Sequence, residues 1–178
     1  MPENLFERLE PALAEADIDR KPALAQQLFD DWRAREFNVP AAAQSVPLVR
    51  GVPAALRIVK GNKVPRRNPG SPEGRAALLH AVAHIEYSAI DLALDHAFRY
   101  RGMRRDYYAH WLRVAADEAR HFGLLRAHLQ TRGFDYGDFP VHDSLWQMAV
   151  RTAAGMLARM ALVPRLMAAR GLDATPPV

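Results

Sequence analysis

Between Ser71 and Gly133 the chain reads as two long helices joined by a short turn, and that pair restricts the fold to a helical bundle. Ser71-Pro72-Glu73-Gly74 is a helix start. The serine hydroxyl can cap, and a proline at the first helical position gives up an amide hydrogen that would have no helical partner. The helix is expected to run to about Tyr100 and to end at Arg101-Gly102. At about 100° per residue, Leu79, Val82, Ala83, Ile90, Ala93 and Ala97 share one face. Glu86 falls in the middle of it, and His80, His84, Asp91 and Asp95 lie on the neighbouring polar side. The second helix spans about Asp106 to Thr131 and closes at Gly133. Its apolar stripe is Trp111, Val114, Ala115, Phe122, Leu125 and Leu129, with Glu118 and His121 on the stripe and His128 along its edge.

The rest of the chain supplies packing around this pair. Leu5, Phe6, Leu9 and Leu13 recur at helical spacing over residues 3 to 15. A second helix starts near Pro22 and reaches about Glu36, with Leu24, Leu28, Phe29 and Trp32 on one side. From Phe37 to Gly74 six prolines (Pro40, Pro47, Pro53, Pro65, Pro69 and Pro72) rule out a continuous helix. Val46, Leu48, Val49, Val52, Leu56, Ile58 and Val59 give that stretch apolar anchors, so it is expected to pack in order over the surface. After the turn-rich segment Gly133 to Pro140, a fifth helix is expected from about Asp143 to Arg170. Leu145, Met148, Met156, Met160, Val163 and Met167 would face inward, and Pro164 would kink it. Nothing alternates like a strand and there is no internal repeat. The expectation is one all-α domain over residues 1–178.

Composition removes several chemistries. With no cysteine in 178 residues there are no disulfides, thiolate zinc sites, sulfur-ligated iron clusters or cysteine nucleophiles. The start, Met-Pro-Glu-Asn-Leu-Phe-Glu-Arg, is acidic and amphipathic, unlike a signal peptide. No run is expected to cross a membrane, which makes a cytoplasmic protein the default. The net charge of +4 is concentrated in Lys60 to Arg67 and Arg99 to Arg105. Such patches can meet nucleic acid, but no aromatic RNA-binding motif accompanies them, and solvated loop and helix-end charges are the simpler account. Phosphate loops, glycine-flanked serine nucleophiles and the His-Glu-x-x-His zinc motif are all missing.

A charged carboxylate on a buried stripe costs several kcal/mol, roughly, unless it is paired or binds a cation. Two neighbouring helices each carry one here, and the second adds His121 three residues after Glu118, on the same side. A carboxylate from one helix with Glu-x-x-His from the next is one half of the ligand set of carboxylate-bridged di-metal bundles. Iron or manganese suits these donors, and zinc is an alternative. Asp91 or Asp117 would then orient the imidazole. The competing account is a metal-free polar network in which Glu86 pairs with Arg120 or Arg159. His80, His84, His110, His128 and His142 read as surface or core-edge histidines.

Four segments carry a resemblance to a known family: Val64-Pro-Arg-Arg67, the run from Gly70 to Glu86, Asp117-Glu-Ala-Arg-His-Phe122, and Leu162-Val-Pro-Arg. They resemble a bacterial family catalogued as domain of unknown function 455, over roughly residues 45 to 175. The resemblance implies a ferritin-like helical bundle with a di-metal carboxylate centre, distantly similar to ferritins and rubrerythrins, and Glu86, Glu118 and His121 as the first half of its ligands. Two departures from the pattern stand out. Family members continue into a further helix with a second Glu-x-x-His, which this sequence lacks, and a glutamate usual in the Leu-Val-Pro-Arg helix is Ala168 here. Between Asp143 and Asp173 there is no acidic residue. A homodimer about a two-fold axis would bring two half-sites together. The readings are therefore a di-iron or di-manganese oxidoreductase acting with oxygen or peroxide on an unknown substrate, a metal-free or degenerate scaffold, and a metal-storage protein.

Overall fold

Helices α1 (Leu5–Ala14) and α2 (Arg20–Ala34) form where the N-terminal periodicity puts them, in a computed structural model that describes residues 2–41, 46–47, 49–65 and 68–163. Asn4 caps α1 by accepting from the Phe6 amide at 3.0 Å, and Leu5, Phe6, Leu9 and Leu13 are buried. Each such side chain contributes about 2 kcal/mol on leaving water. α3 (Pro72–Arg99) starts as expected: the Gly74 amide donates to Ser71 Oγ at 3.0 Å. Gly74 is required there, because a Cβ would overlap the Asn68 carbonyl. α4 (Arg105–Gln130) follows after five residues, and so short a connection makes the two helices antiparallel neighbours. The fold is all-α, with six α-helices among the described residues.

The chain divides into two compact units, Met1–His142 and Asp143–Val178. In the first, α3 is the central helix: every residue from Ile90 to Arg99 is buried. Its length and hydropathy are those of a bilayer span, yet most of it is buried within this protein. Its buried acids are paired. Asp91 takes Lys21 Nζ at 2.5 Å and Arg50 Nε at 2.9 Å, and Asp95 takes Arg99. Arg99 also donates to the carbonyls of Val46 and Pro47, which ties the proline-rich stretch to α3. That stretch packs as expected through Leu56, but Val52 and Ile58 are exposed, and backbone bonds hold it instead. Ile58 and Val141 form a parallel bridge, in which the Val59 amide donates to the Val141 carbonyl at 2.8 Å and the Val141 amide to the Arg57 carbonyl at 3.1 Å, and the Gly51 amide donates to the Leu13 carbonyl at 2.7 Å. A Cβ on Gly51 would overlap the Ala14 and Glu15 carbonyls. Gly51→Ala is accordingly expected to cost about 2 kcal/mol, read as a lower urea midpoint.

Two short strands, β1 (Glu3–Asn4) and β2 (Phe37–Asn38), pair in parallel, contrary to the expectation of no strand. At two residues each they are too short to show an alternation.

In the second unit the single helix expected over residues 143–170 is broken. α5 (Ser144–Arg151) and α6 (Met156–Met160) are separated by a turn. Thr152 Oγ1 donates to the Met148 carbonyl at 2.8 Å, and the buried Arg159 side chain donates to Ala149 and Thr152. These bonds satisfy the carbonyls at the end of α5 and place a cation at its negative pole. The Pro164 kink, Met167 and Ala168 lie outside the described residues.

Candidate metal centre

Glu86, Glu118 and His121 meet where the middle of α3 crosses α4, with one ligand-capable atom of each within 4.8 Å of the others. His121 Nδ1 is 3.2 Å from Glu118 Oε2 and 3.6 Å from Glu86 Oε2. The three side chains are 22%, 24% and 43% exposed in chain order, so the group is open on one side. Its inner side is aromatic. Tyr87, next to Glu86, packs edge-on against Phe122, next to His121, at 5.0 Å, and Tyr136 lies 4.9 Å from Phe122.

The hydrogen bonds fix the protons. Arg120 has no acceptor atom, so His121 Nε2 accepts from it at 3.0 Å, and Nδ1 carries the hydrogen that goes to Glu118. Burial pushes the Glu86 carboxyl up to about 8, helped by its hydrogen bond with Glu118 and by the charge of that group. Glu86 therefore keeps its proton near neutral pH, hydrogen-bonded to Glu118. The arrangement suits a cation, which would replace the proton and relieve the repulsion.

Several expected roles fall elsewhere. Arg120 turns to His121 and Arg159 to Ala149 and Thr152, so Glu86 has Glu118 and His121 beside it. Asp91 is held by Lys21 and Arg50, and Asp117 lies 3.7 Å from Arg113, so neither orients His121. His110, His128 and His142 are exposed as expected, whereas His80 and His84 are buried. His80 Nε2 accepts from the Gly137 amide at 2.8 Å. His84 Nε2 lies 3.2 Å from the His142 carbonyl and must carry hydrogen, so Nδ1 accepts from Tyr136 at 2.7 Å. Both histidines clamp the 134–142 segment onto α3. Tyr136→Phe removes that donor and is expected to cost about 1–2 kcal/mol in chemical denaturation.

These clamps explain why the expected stripes are rotated. The polar side of α3 is covered by loops, while Val82, assigned to the core, is 36% exposed and Val114 and Leu125 on α4 are half-buried. A heptad-like count cannot reveal this, since it assumes the polar side meets water. His80 and His84, one turn apart and in line with Asp91 and Asp95, were the available signal for a second packed side. The basic runs also divide. Lys60 and Lys63 are exposed, whereas Arg99 is buried on Asp95, Arg101 lies over Phe6, and Arg105 lies over Trp32.

Residues 14–178 match the family model described as protein of unknown function, DUF455. A Haemophilus influenzae relative, described as an uncharacterized protein, is 40% identical over 182 residues. The alignment covers 96% of this chain and 63% of the relative, so the chain spans less than two thirds of that protein's length. No solved structure matches it significantly.

Proposed function

The chain belongs to the DUF455 family, and from that premise we propose that it is a ferritin-like di-metal carboxylate protein, of oxidoreductase type, acting with oxygen or peroxide. The observation that supports this is the convergence of Glu86, Glu118 and His121 within 4.8 Å. Two carboxylates and an imidazole are hard donors suited to iron or manganese, with zinc as the alternative. Iron or manganese held there would supply electron exchange with oxygen or peroxide. The residues' own part is to bind and to manage protons. To hold a metal, Glu86 would give up its proton, and His121 would carry its hydrogen on Nε2 in place of Nδ1, releasing Arg120 and freeing Nδ1, while Tyr87, Phe122 and Tyr136 pack together on the buried side.

The second reading, a metal-free polar network, is favoured by one observation: Arg120, His121 and Glu118 already satisfy one another. Anaerobic calorimetric titration with Mn(II) and Fe(II) separates the two. Binding with proton release, seen as heat that changes with the buffer's ionisation enthalpy, supports the metal centre. Absence of heat, with no metal-induced rise in melting temperature, leaves the scaffold.

A further inference from the structure

Among the described residues of the first unit, the side of the α3–α4 pair that carries the three residues also carries exposed apolar side chains. Leu78, Val82 and Ile85 on α3 are 50%, 36% and 53% exposed, and Leu124 on α4 is 61% exposed. At about 100° per residue the α3 residues run along one flank of Glu86, and Leu124 lies one turn beyond His121. Isolated exposed leucines are ordinary, but four exposed apolar side chains beside a cluster of carboxylates are not. Among the described residues the cluster holds three ligand-capable side chains, fewer than a di-metal centre needs.

We propose that a second copy of the chain closes this face about a two-fold axis, so that two Glu86, two Glu118 and two His121 hold divalent metal across the interface. The inference rests on the metal reading above. Its geometry follows from the helices. The open stretch, residues 75–89 on α3 and 113–128 on α4, is about 23 Å long at ~1.5 Å per residue, and two helices side by side are about 20 Å wide. That gives about 450 Å² per copy, or ~900 Å² in all, just under the roughly 1,000 Å² at which specific interfaces begin. Four carboxylates would also face one another at its centre. Apolar contact alone therefore does not sustain the pair, and metal must bridge it. Association is linked to metal binding and each promotes the other.

Sedimentation velocity of the full chain with Mn(II), and again with chelator, tests this beside Ile85→Asp, a change at an exposed position that leaves the buried core alone. The expected results are a dimer with Mn(II), a monomer with chelator, and an Ile85→Asp monomer in both, with Mn(II) affinity at least ~10-fold weaker. Circular dichroism confirms that the variant is folded, and Ile85→Ala, carrying no charge, should retain a weakened dimer. A monomer that binds Mn(II) as tightly as Ile85→Asp does overturns the second copy and leaves the metal centre standing, with the face covered by the chain's own later residues or by another protein. A dimer that survives both chelator and Ile85→Asp associates elsewhere and also overturns it. Protein that binds no metal overturns both readings.

Discussion

Asp91→Ala is expected to destabilise the protein by about 3–5 kcal/mol, the usual cost of breaking a buried ion pair from one side. Asp91 is the shared acceptor of two cations, Lys21 with a fully buried side chain and Arg50 with 4% exposure. Lys21 Nζ would keep the Gly51 carbonyl at 2.7 Å but lose its counter-charge. Burial already pulls the Lys21 ammonium below its ordinary value, with Asp91 opposing. In the variant only the weaker pull of Glu15 opposes it, and Lys21 is expected to become neutral or draw in water. Lys21→Met is the milder change, because Asp91 keeps Arg50 and the methionine fills the space. Urea denaturation of both measures the difference. Equal losses would show that Lys21 and Arg50 do not share one acceptor. The prediction matters for function because Asp91 lies little more than one turn beyond Glu86 on α3, so the network fixes the helix that presents the site.

Glu118→Ala is expected to weaken Mn(II) or Fe(II) binding by more than about 100-fold, beyond the 10–100-fold typical of losing a group that only orients a ligand. It removes one donor and also the acceptor that fixes His121. The same site predicts a pH dependence. The Glu86 carboxyl stands at about 8 in the folded protein, against an ordinary 4.5. Its folded form binds the proton more tightly than the unfolded chain does. Metal-free protein is therefore most favoured below about 4.5 and loses that contribution as pH rises through about 8. Metal competes with the proton, so affinity should climb with pH and level off above about 8. Glu86→Gln should flatten the stability profile and abolish the climb. A wild-type affinity indifferent to pH between 6 and 9, roughly one unit or more either side of that value, would contradict a proton held on Glu86.

The helices were legible because their signals are local. Asn4 and Ser71 cap, Pro72 starts, and α1, α2, α3 and α4 begin and end within a few residues of their expected limits. The meeting of Glu86 with Glu118 and His121 was legible too, since only an antiparallel α3–α4 pair connects those positions with so short a turn. Which side of α3 faces inward was not. His80, His84, Asp91 and Asp95 look like a solvated side, yet His80, His84 and Asp91 are buried on partners far along the chain, and Asp95 is buried on Arg99, which in turn bonds to the carbonyls of Val46 and Pro47. The 46–59 stretch and the 134–142 segment supply several of those partners, and no periodicity announces a loop that will cover a helix. The break at Thr152 was likewise invisible to a count of apolar spacings. It follows from a hydroxyl and Arg159 capping α5, an outcome that depends on where the chain turns next.

The most direct test of the metal centre is elemental analysis of the protein purified without chelator, beside Glu118→Ala purified the same way. About one iron or manganese per chain, absent from the variant while both remain folded, is the predicted result. Wild-type protein that is folded, carries no metal and is no more stable than Glu118→Ala would contradict it, and Glu86, Glu118 and His121 would then stand as a polar network between two helices.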